Sequence, residues 1–372
     1  MTQDEATDSA PSQNSSATSQ TGSATTPTGS ATTPTGSAVR FGFLGVGGIV
    51  HGALLPAVRA ARGAVLQAAA ARELTRAEAI EPAGRAYDAY EALLEDPEVD
   101  VVYISLPNDY HRPWTLAALE AGKHVLCEKP LGLTLDEAHE MHAAAAAAGR
   151  LLVEAFWYRW HPRTRRLEQL AAEGAFGAIT SVETDFSFDA DWSGERANDI
   201  RLTPERGGGA LYDVGCYAAS AAVTVLSPTG VAALEVRSTE STWSDRGVDL
   251  RTSATLLSLG GTTVTLGCGI SGTTRQVVEV TGDLLSATFP GGTAFTNRRE
   301  PASLLLRSTG SGGSGTAFEE TFEPVDPYQV MVENVAAAVR GEDAFLVDAE
   351  HSFAVAGVLD AIRTASTPPA HA

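Results

Sequence analysis

Several groups of residues in this chain could do chemistry, and each follows a short apolar run. The first run, Val39–Leu44, leads into Gly45-Val46-Gly47-Gly48-Ile49-Val50. Gly45 permits a tight turn, and Gly47, with Gly48 and Ile49 beside it, lets backbone approach a pyrophosphate at a helix N-terminus. The third glycine of a dinucleotide fingerprint falls at Val50, so an ordinary glycine turn stays open as the other reading. About twenty residues on, NAD binding calls for an acid at the end of the second strand. The chain has Ala71-Arg72-Glu73 there. Arg72 can pair bidentately with a 2′-phosphate, which favours NADP. Glu73 on a ribose would favour NAD, and Arg72 as a solvated helix start is the bland alternative. Further polar clusters are Pro107-Asn108-Asp109-Tyr110-His111, Glu128-Lys129-Pro130 and Glu154 through Arg159. In an open parallel sheet all of these reach one edge, where ligands bind.

The elements that would position them alternate regularly. Apolar runs at Val39–Leu44, Val65–Ala70, Val99–Leu106, His124–Cys127 and Leu151–Ala155 read as strands, with helical stretches between them. Thr134 three residues before Glu137 predicts a capping box on one of those helices. Such βα alternation implies an α/β, Rossmann-type, doubly wound parallel sheet. The second half starts with a helix near Pro162–Glu173. It continues with β-rich runs at Ile179–Phe188, Val231–Thr239, Ser253–Leu259, Thr262–Gly267, Gln276–Val280 and Ser303–Leu306, and ends in helices near Pro327–Val339 and Ala349–Ala365. Strands in sequence without helices between them predict an α+β domain with a large, mostly antiparallel sheet. The expected division is a tail at 1–38, a dinucleotide-binding domain at 39–156 and a second domain at 157–372.

The tail carries the repeat TGSATTP and no Leu, Ile, Val or aromatic residue, so it is expected to be disordered. It has neither the basic start nor the apolar stretch of a signal peptide. A formal charge of −20 argues against nucleic acid or an anionic membrane as partner. Cys127, Cys216 and Cys268 form no CxxC pair, which excludes a disulfide framework and fits a reducing, cytoplasmic setting. Of the 26 basic residues only Lys123 and Lys129 are lysines, so Lys129 stands out at the ligand edge.

These motifs together resemble the Gfo/Idh/MocA oxidoreductase family. The resemblance is carried by Gly45–Ile49, Pro107-Asn108 with His111, Glu128-Lys129-Pro130, Glu154 through Arg159 with His161-Pro162, and Gly207 through Tyr217. Tyr217, where other branches have His, resembles the branch with dihydrodiol dehydrogenase, NADP-dependent xylose dehydrogenase and glucose–fructose oxidoreductase; sugar 3-ketoreductases are similar. The resemblance implies an NADP(H)-dependent oxidoreductase acting on a sugar, polyol or dihydrodiol, with a non-catalytic cofactor-binding regulator as the alternative. It also implies an open-faced second sheet and a homodimer or larger assembly.

Hydride exchange at a carbinol carbon needs a group to move the hydroxyl proton, and Tyr217 is that candidate. A free phenol has a pKa near ~10. Lys129 nearby is expected to lower it and to hold the substrate oxygen. Asp213, four residues before Tyr217, is expected to orient substrate or Lys129; a helix cap for Asp213 and a core aromatic for Tyr217 are the structural alternatives. By resemblance, Asn108 and Glu128 hold the nicotinamide ribose beside Pro107, and Arg159 approaches the nicotinamide. His111 and Trp157 then line the substrate side, and the Lys129–Pro130 bond is cis. Arg201 meets either substrate hydroxyls or a carboxylate. His139 and His142 share a helix but have no third ligand near in sequence, so no metal is expected. Cys216 has no basic partner to make it a nucleophile. Gly310–Gly315 reads as a surface loop.

Overall fold

The computed structural model describes residues 38–232, 234–310 and 315–366. The expected disorder of the tail and most of the Gly310–Gly315 loop lie outside those residues. Six short strands build the first sheet: β1 (Val39–Leu44), β2 (Ala64–Ala70), β3 (Arg85–Tyr87), β4 (Val101–Ile104), β5 (His124–Cys127) and β6 (Leu152–Glu154). Their order is β3-β2-β1-β4-β5-β6, all parallel. All four residues of β4 are buried, as a strand covered on both faces requires. The order reverses between β1 and β4, and ligands bind at the carboxyl ends around that point.

Five helices cover this sheet: α1 (Leu55–Ala60), α2 (Leu74–Glu78), α3 (Tyr90–Leu94), α4 (His111–Glu120) and α5 (Leu135–Ala148). The chain enters α1 through a wide π turn at Val50–Leu54, and Val50 is fully buried in it. That wide turn accommodates valine where the fingerprint has glycine. Thr134 caps α5 by accepting from Glu137 N at 3.2 Å, and Glu137 Oε2 accepts from Leu133 N at 2.7 Å. The reciprocal bond of the capping box is thus displaced by one residue.

After α6 (Pro162–Ala172), strand β7 (Ile179–Ser187) opens the second sheet, and a long strap then leads to α7 (Cys216–Ala232). The remaining strands are β8 (Leu234–Trp243), β9 (Asp249–Ser258), β10 (Thr263–Gly269), β11 (Arg275–Gly282), β12 (Leu285–Thr288), β13 (Ala302–Ser308) and β14 (Ala317–Phe322). Their order is β14-β13-β12-β11-β7-β10-β9-β8, with β7 and β10 parallel and the other pairs antiparallel. Helices α8 (Pro327–Val339) and α9 (Ala349–Ala365) follow. The apolar stretch Pro204–Ser227, which contains most of α7, is long enough to cross a membrane, but 83% of an apolar 18-residue window in it is buried inside the fold. Its apolarity therefore serves the core beneath the second sheet, and this core delivers Tyr217 to the ligand edge.

Candidate active site

At the carboxyl edge of the parallel sheet two chambers adjoin. The larger, about 620 Å³, is floored by Lys129, Asp213 and Tyr217. The glycine loop (Gly47, Gly48, Ile49) lines one side, and Phe186, Phe188 and Arg201 of the second half face it. The smaller chamber, about 400 Å³, shares Gly47, Ser105 and Pro107 with the first and reaches Arg72, Arg76 and Arg206. Among the described residues its lining holds three arginines and no carboxylate, in a chain of net charge −20. Gly45 takes φ +89°, and a Cβ there would stand 2.9 Å from Ser105 O. Beside Gly47 and Gly48, by contrast, no atom lies within 4 Å of where a Cβ would be. The loop is therefore tight against the protein on one side and open on the side where a diphosphate would approach.

Lys129 follows β5, and its Nζ donates to the Asp213 carbonyl at 2.9 Å and lies 3.7 Å from Asp213 Oδ1. The other carboxylate oxygen of Asp213 accepts from Arg201 Nε at 2.8 Å. Burial works against the Lys129 ammonium, but the Cys216 sulfur, Asp213 and Glu128 outweigh it and hold its pKa above the ordinary value. The same Nζ stands 5.0 Å from the centre of the Tyr217 ring. Tyr217 is 6% exposed and boxed by Phe156, Phe186 and Phe295 at ring separations of 5.7, 5.3 and 5.8 Å. Its Oη accepts from Trp157 Nε1 at 2.9 Å.

The chamber wall is fixed by bonds between strand ends. Asn108 Nδ2 donates to Gly207 O at 2.9 Å, joining the two halves. Tyr103 Oη donates to Glu128 Oε1 at 2.5 Å; burial raises the Glu128 carboxyl above the ordinary range, with the Lys129 charge opposing. Glu154 Oε1 accepts from Leu131 N at 2.8 Å and so braces the loop that carries the cis Lys129–Pro130 bond. The Gly207-Gly208-Gly209 run has no room for side chains: Cβ atoms there would lie 2.4 Å from Leu133 Cδ2, 2.7 Å from Arg201 O and 2.1 Å from Asp249 Oδ1.

Residues 39–156 match the family described as "Oxidoreductase family, NAD-binding Rossmann fold", and residues 164–288 match the "GFO/IDH/MocA C-terminal domain". A protein named D-xylose 1-dehydrogenase (NADP(+)) 2, from Haloferax volcanii, is 38% identical over 327 residues, 87% of this chain and 95% of its own. The chain belongs to the Gfo/Idh/MocA oxidoreductase family. The crystal structure of a 3-ketoreductase from Actinomadura kijaniata, in complex with NADP and TDP-benzene, matches with TM-score 0.79 at 29% identity, covering 88% of this chain and 98% of that one. A trans-1,2-dihydrobenzene-1,2-diol dehydrogenase from Mus musculus is 34% identical over 218 residues, 58% of this chain and 63% of its own. As a Gfo/Idh/MocA member the chain is an oxidoreductase with an NAD(P)-binding Rossmann domain.

Within this family frame, Gly45–Ile49, Arg72, Pro107, Asn108, Glu128, Lys129, Arg201, Asp213 and Tyr217 converge on the two chambers. Glu73 instead precedes α2 on the surface, away from both. Arg159 lines neither chamber. It is 3% exposed, donates to Glu168 Oε1 at 2.8 Å and to His351 Nδ1 at 2.7 Å, and lines a separate cavity. The 3₁₀ turn Trp157–Trp160 turns it into the core. His111 lines the larger chamber, with its ring pinned in place: its nitrogens lie 2.7 Å from Pro130 O and 2.9 Å from Leu106 O, and burial pulls its pKa down to about 4. Trp157 turns its indole to Tyr217 and stacks on Tyr328 at 4.7 Å instead of lining the chamber. The expected lowering of the Tyr217 pKa is overturned as well. Burial pushes the phenol well above its ordinary value, with the Trp157 bond opposing, while the Lys129 ammonium stands over the ring. His139 and His142 pack on Phe353, and burial pushes the Cys216 thiol up to about 12. Arg76, Ser105 and Arg206 were not foreseen. An arginine one helical turn after Arg72 was the available signal for Arg76.

Proposed function

We propose that this oxidoreductase is NADP(H)-dependent and interconverts a CH–OH and a C=O carbon of a sugar, polyol or dihydrodiol. The observation that carries the reading is the order of groups along one channel: arginines without carboxylates at one end, an open glycine loop in the middle, and Lys129 with Tyr217 at the other end. The named relatives, a xylose dehydrogenase (NADP(+)) and a ketoreductase in complex with NADP, support both the cofactor and the substrate class. NADP, when bound, exchanges a hydride with the substrate carbon. Arg72 and Arg76 would hold the 2′-phosphate, Gly45–Ile49 the diphosphate, and Pro107, Asn108 and Glu128 the ribose on the nicotinamide side.

Tyr217 Oη moves the substrate proton. Burial keeps the phenol protonated at neutral pH, so it stands ready as the general acid of carbonyl reduction. In oxidation it must accept a proton, and the Trp157 N–H and the Lys129 charge then stabilise the phenolate. The Lys129 ammonium, held by the Asp213 carbonyl, offers its remaining N–H groups to the substrate oxygen. Arg201 and Lys129 share Asp213, so this carboxylate positions both cations. The reading includes a cytoplasmic homodimer or larger assembly, which sedimentation at micromolar concentration tests. The activity is tested by NADP⁺ and NAD⁺ reduction against aldoses and trans-dihydrodiols. NADP⁺ turnover on a member of the panel is expected; cofactor binding without turnover in either direction would overturn the catalytic role.

A further inference from the structure

The junction between the two chambers is closed from the second half of the chain by a strap carrying the short 3₁₀ turns Ile200–Leu202 and Pro204–Arg206. Ile200 and Arg206 both line both chambers, and Ile200 leaves 48% of its surface exposed there. Three consecutive residues of the first half hold this strap. Asn108 Nδ2 donates to Gly207 O at 2.9 Å, Arg206 Nη1 donates to Asp109 Oδ2 at 3.1 Å, and the Arg206 guanidinium lies 4.8 Å from the centre of the Tyr110 ring. A ligand that fills both chambers passes this crossing, because Ile200 and Arg206 of the strap line both.

We infer that the Pro204–Gly207 turn is a latch over the dinucleotide, fastened by Arg206 on Asp109 and Tyr110, and that its opening governs cofactor release. The inference rests on the reading of the channel as an NADP(H) site. The fastening is built from bonds suited to opening. The Arg206 and Asp109 side chains are 37% and 25% exposed, and an ion pair of that kind is weak and screened by salt. Arg206 also borders the chamber, and a guanidinium carries five N–H donors, so a bound phosphate would add a partner and tighten the closed form. The same strap carries Arg201, whose bond to Asp213 reaches the group that holds Lys129. One segment thus carries both the latch residue Arg206 and the Arg201 bond to Asp213.

The test is the release rate of NADPH from the full-length protein, followed by stopped-flow fluorescence on displacement with excess NADP⁺. Arg206→Gln, which loses both the ion pair and the cation–π contact, should release NADPH about tenfold faster than wild type, and Asp109→Asn, which loses the ion pair alone, about threefold to fivefold faster. The double variant should release no faster than the faster single variant, because the two residues act through one contact. Raising salt should speed release from wild type more than from the variants, which keep the Arg72 and Arg76 contacts but have already lost the Arg206–Asp109 pair. Wild type that binds NADPH, with release from both variants within twofold of it, would overturn the latch while leaving the cofactor site intact. A change in Tm without a change in release rate would make the pair merely structural and overturn it too. Wild type that binds no NADPH would remove the cofactor reading, and the latch with it.

Discussion

Replacing Trp157 by Phe isolates one hydrogen bond. The benzyl ring keeps most of the stack on Tyr328, which is 4.7 Å away and nearly parallel at 16°, while the N–H that meets Tyr217 Oη at 2.9 Å disappears. Both partners are buried, so water does not replace the donor. A hydrogen bond to a neutral acceptor contributes about 1 kcal/mol and one to a charged group about 1.5–3 kcal/mol. The phenolate therefore loses about 1 kcal/mol more than the phenol does, which raises the Tyr217 pKa by somewhat under one unit. The direction follows from the site. Burial already pushes the phenol well above its ordinary value and the Trp157 bond opposes that, so removing it moves the pKa further up. In alcohol oxidation, which needs Tyr217 to accept a proton, kcat should fall about fivefold and its alkaline rise should move to higher pH. The assay is NADP⁺ reduction from about pH 6 to about pH 10, with the NADPH Kd measured in parallel and expected to stay unchanged. A pH profile that overlays wild type would refute the role of Trp157. A lost rate with an unmoved profile would place it in packing alone.

Burial lifts the Glu154 carboxyl to about 7, so the folded protein favours its neutral form. As pH rises from the ordinary glutamate value towards about 7, the unfolded chain releases this proton first and stability falls. Glu154→Gln should flatten the Tm–pH slope across that window; an unchanged slope would refute the assignment. Two glycines should separate folding from binding. Gly209→Ala, at φ +108° and facing Asp249 Oδ1 at 2.1 Å, should cost at least about 1–3 kcal/mol in urea unfolding. Gly47→Ala meets no protein atom within 4 Å, and should leave stability unchanged while weakening NADPH binding. Arg72→Ala should reduce the preference for NADPH over NADH by about 10–100-fold, as loss of a charge-assisted bond implies, and equal loss for both coenzymes would move Arg72 off the 2′-phosphate.

Much of the scaffold was legible because buried parallel strands and glycine turns leave strong local signals. Val39–Leu44 and His124–Cys127 came out with their exact bounds. The missed strands, β3, β12 and β14, are short or edge-lying and lack a clear alternation. Helix α7 escaped because Cys216–Ala232 is apolar on nearly every side, which erases the helical period. The site was legible as a set of strand ends but not in its internal contacts. Trp157 and Tyr217 stand 60 residues apart, and nothing local says that the indole N–H reaches the phenol. Arg159 sits two residues from Trp157 yet turns to Glu168 and His351, because a 3₁₀ turn sends neighbours in different directions. The strand-end position of Lys129, with the family resemblance, put it near Tyr217, while the sign of the phenol's pKa shift depended on burial that neither reports.

The central claim is that Tyr217 moves the proton and Lys129 holds the substrate oxygen for a hydride exchange with a cofactor bound along the same channel. Single-turnover oxidation of NADPH by Tyr217→Phe, with a substrate that wild type reduces, tests it most directly. The variant should bind NADPH with wild-type affinity and lose hydride transfer by at least about a hundredfold, within the range that general acid–base catalysis contributes. Hydride transfer at the wild-type rate from bound NADPH would contradict the account.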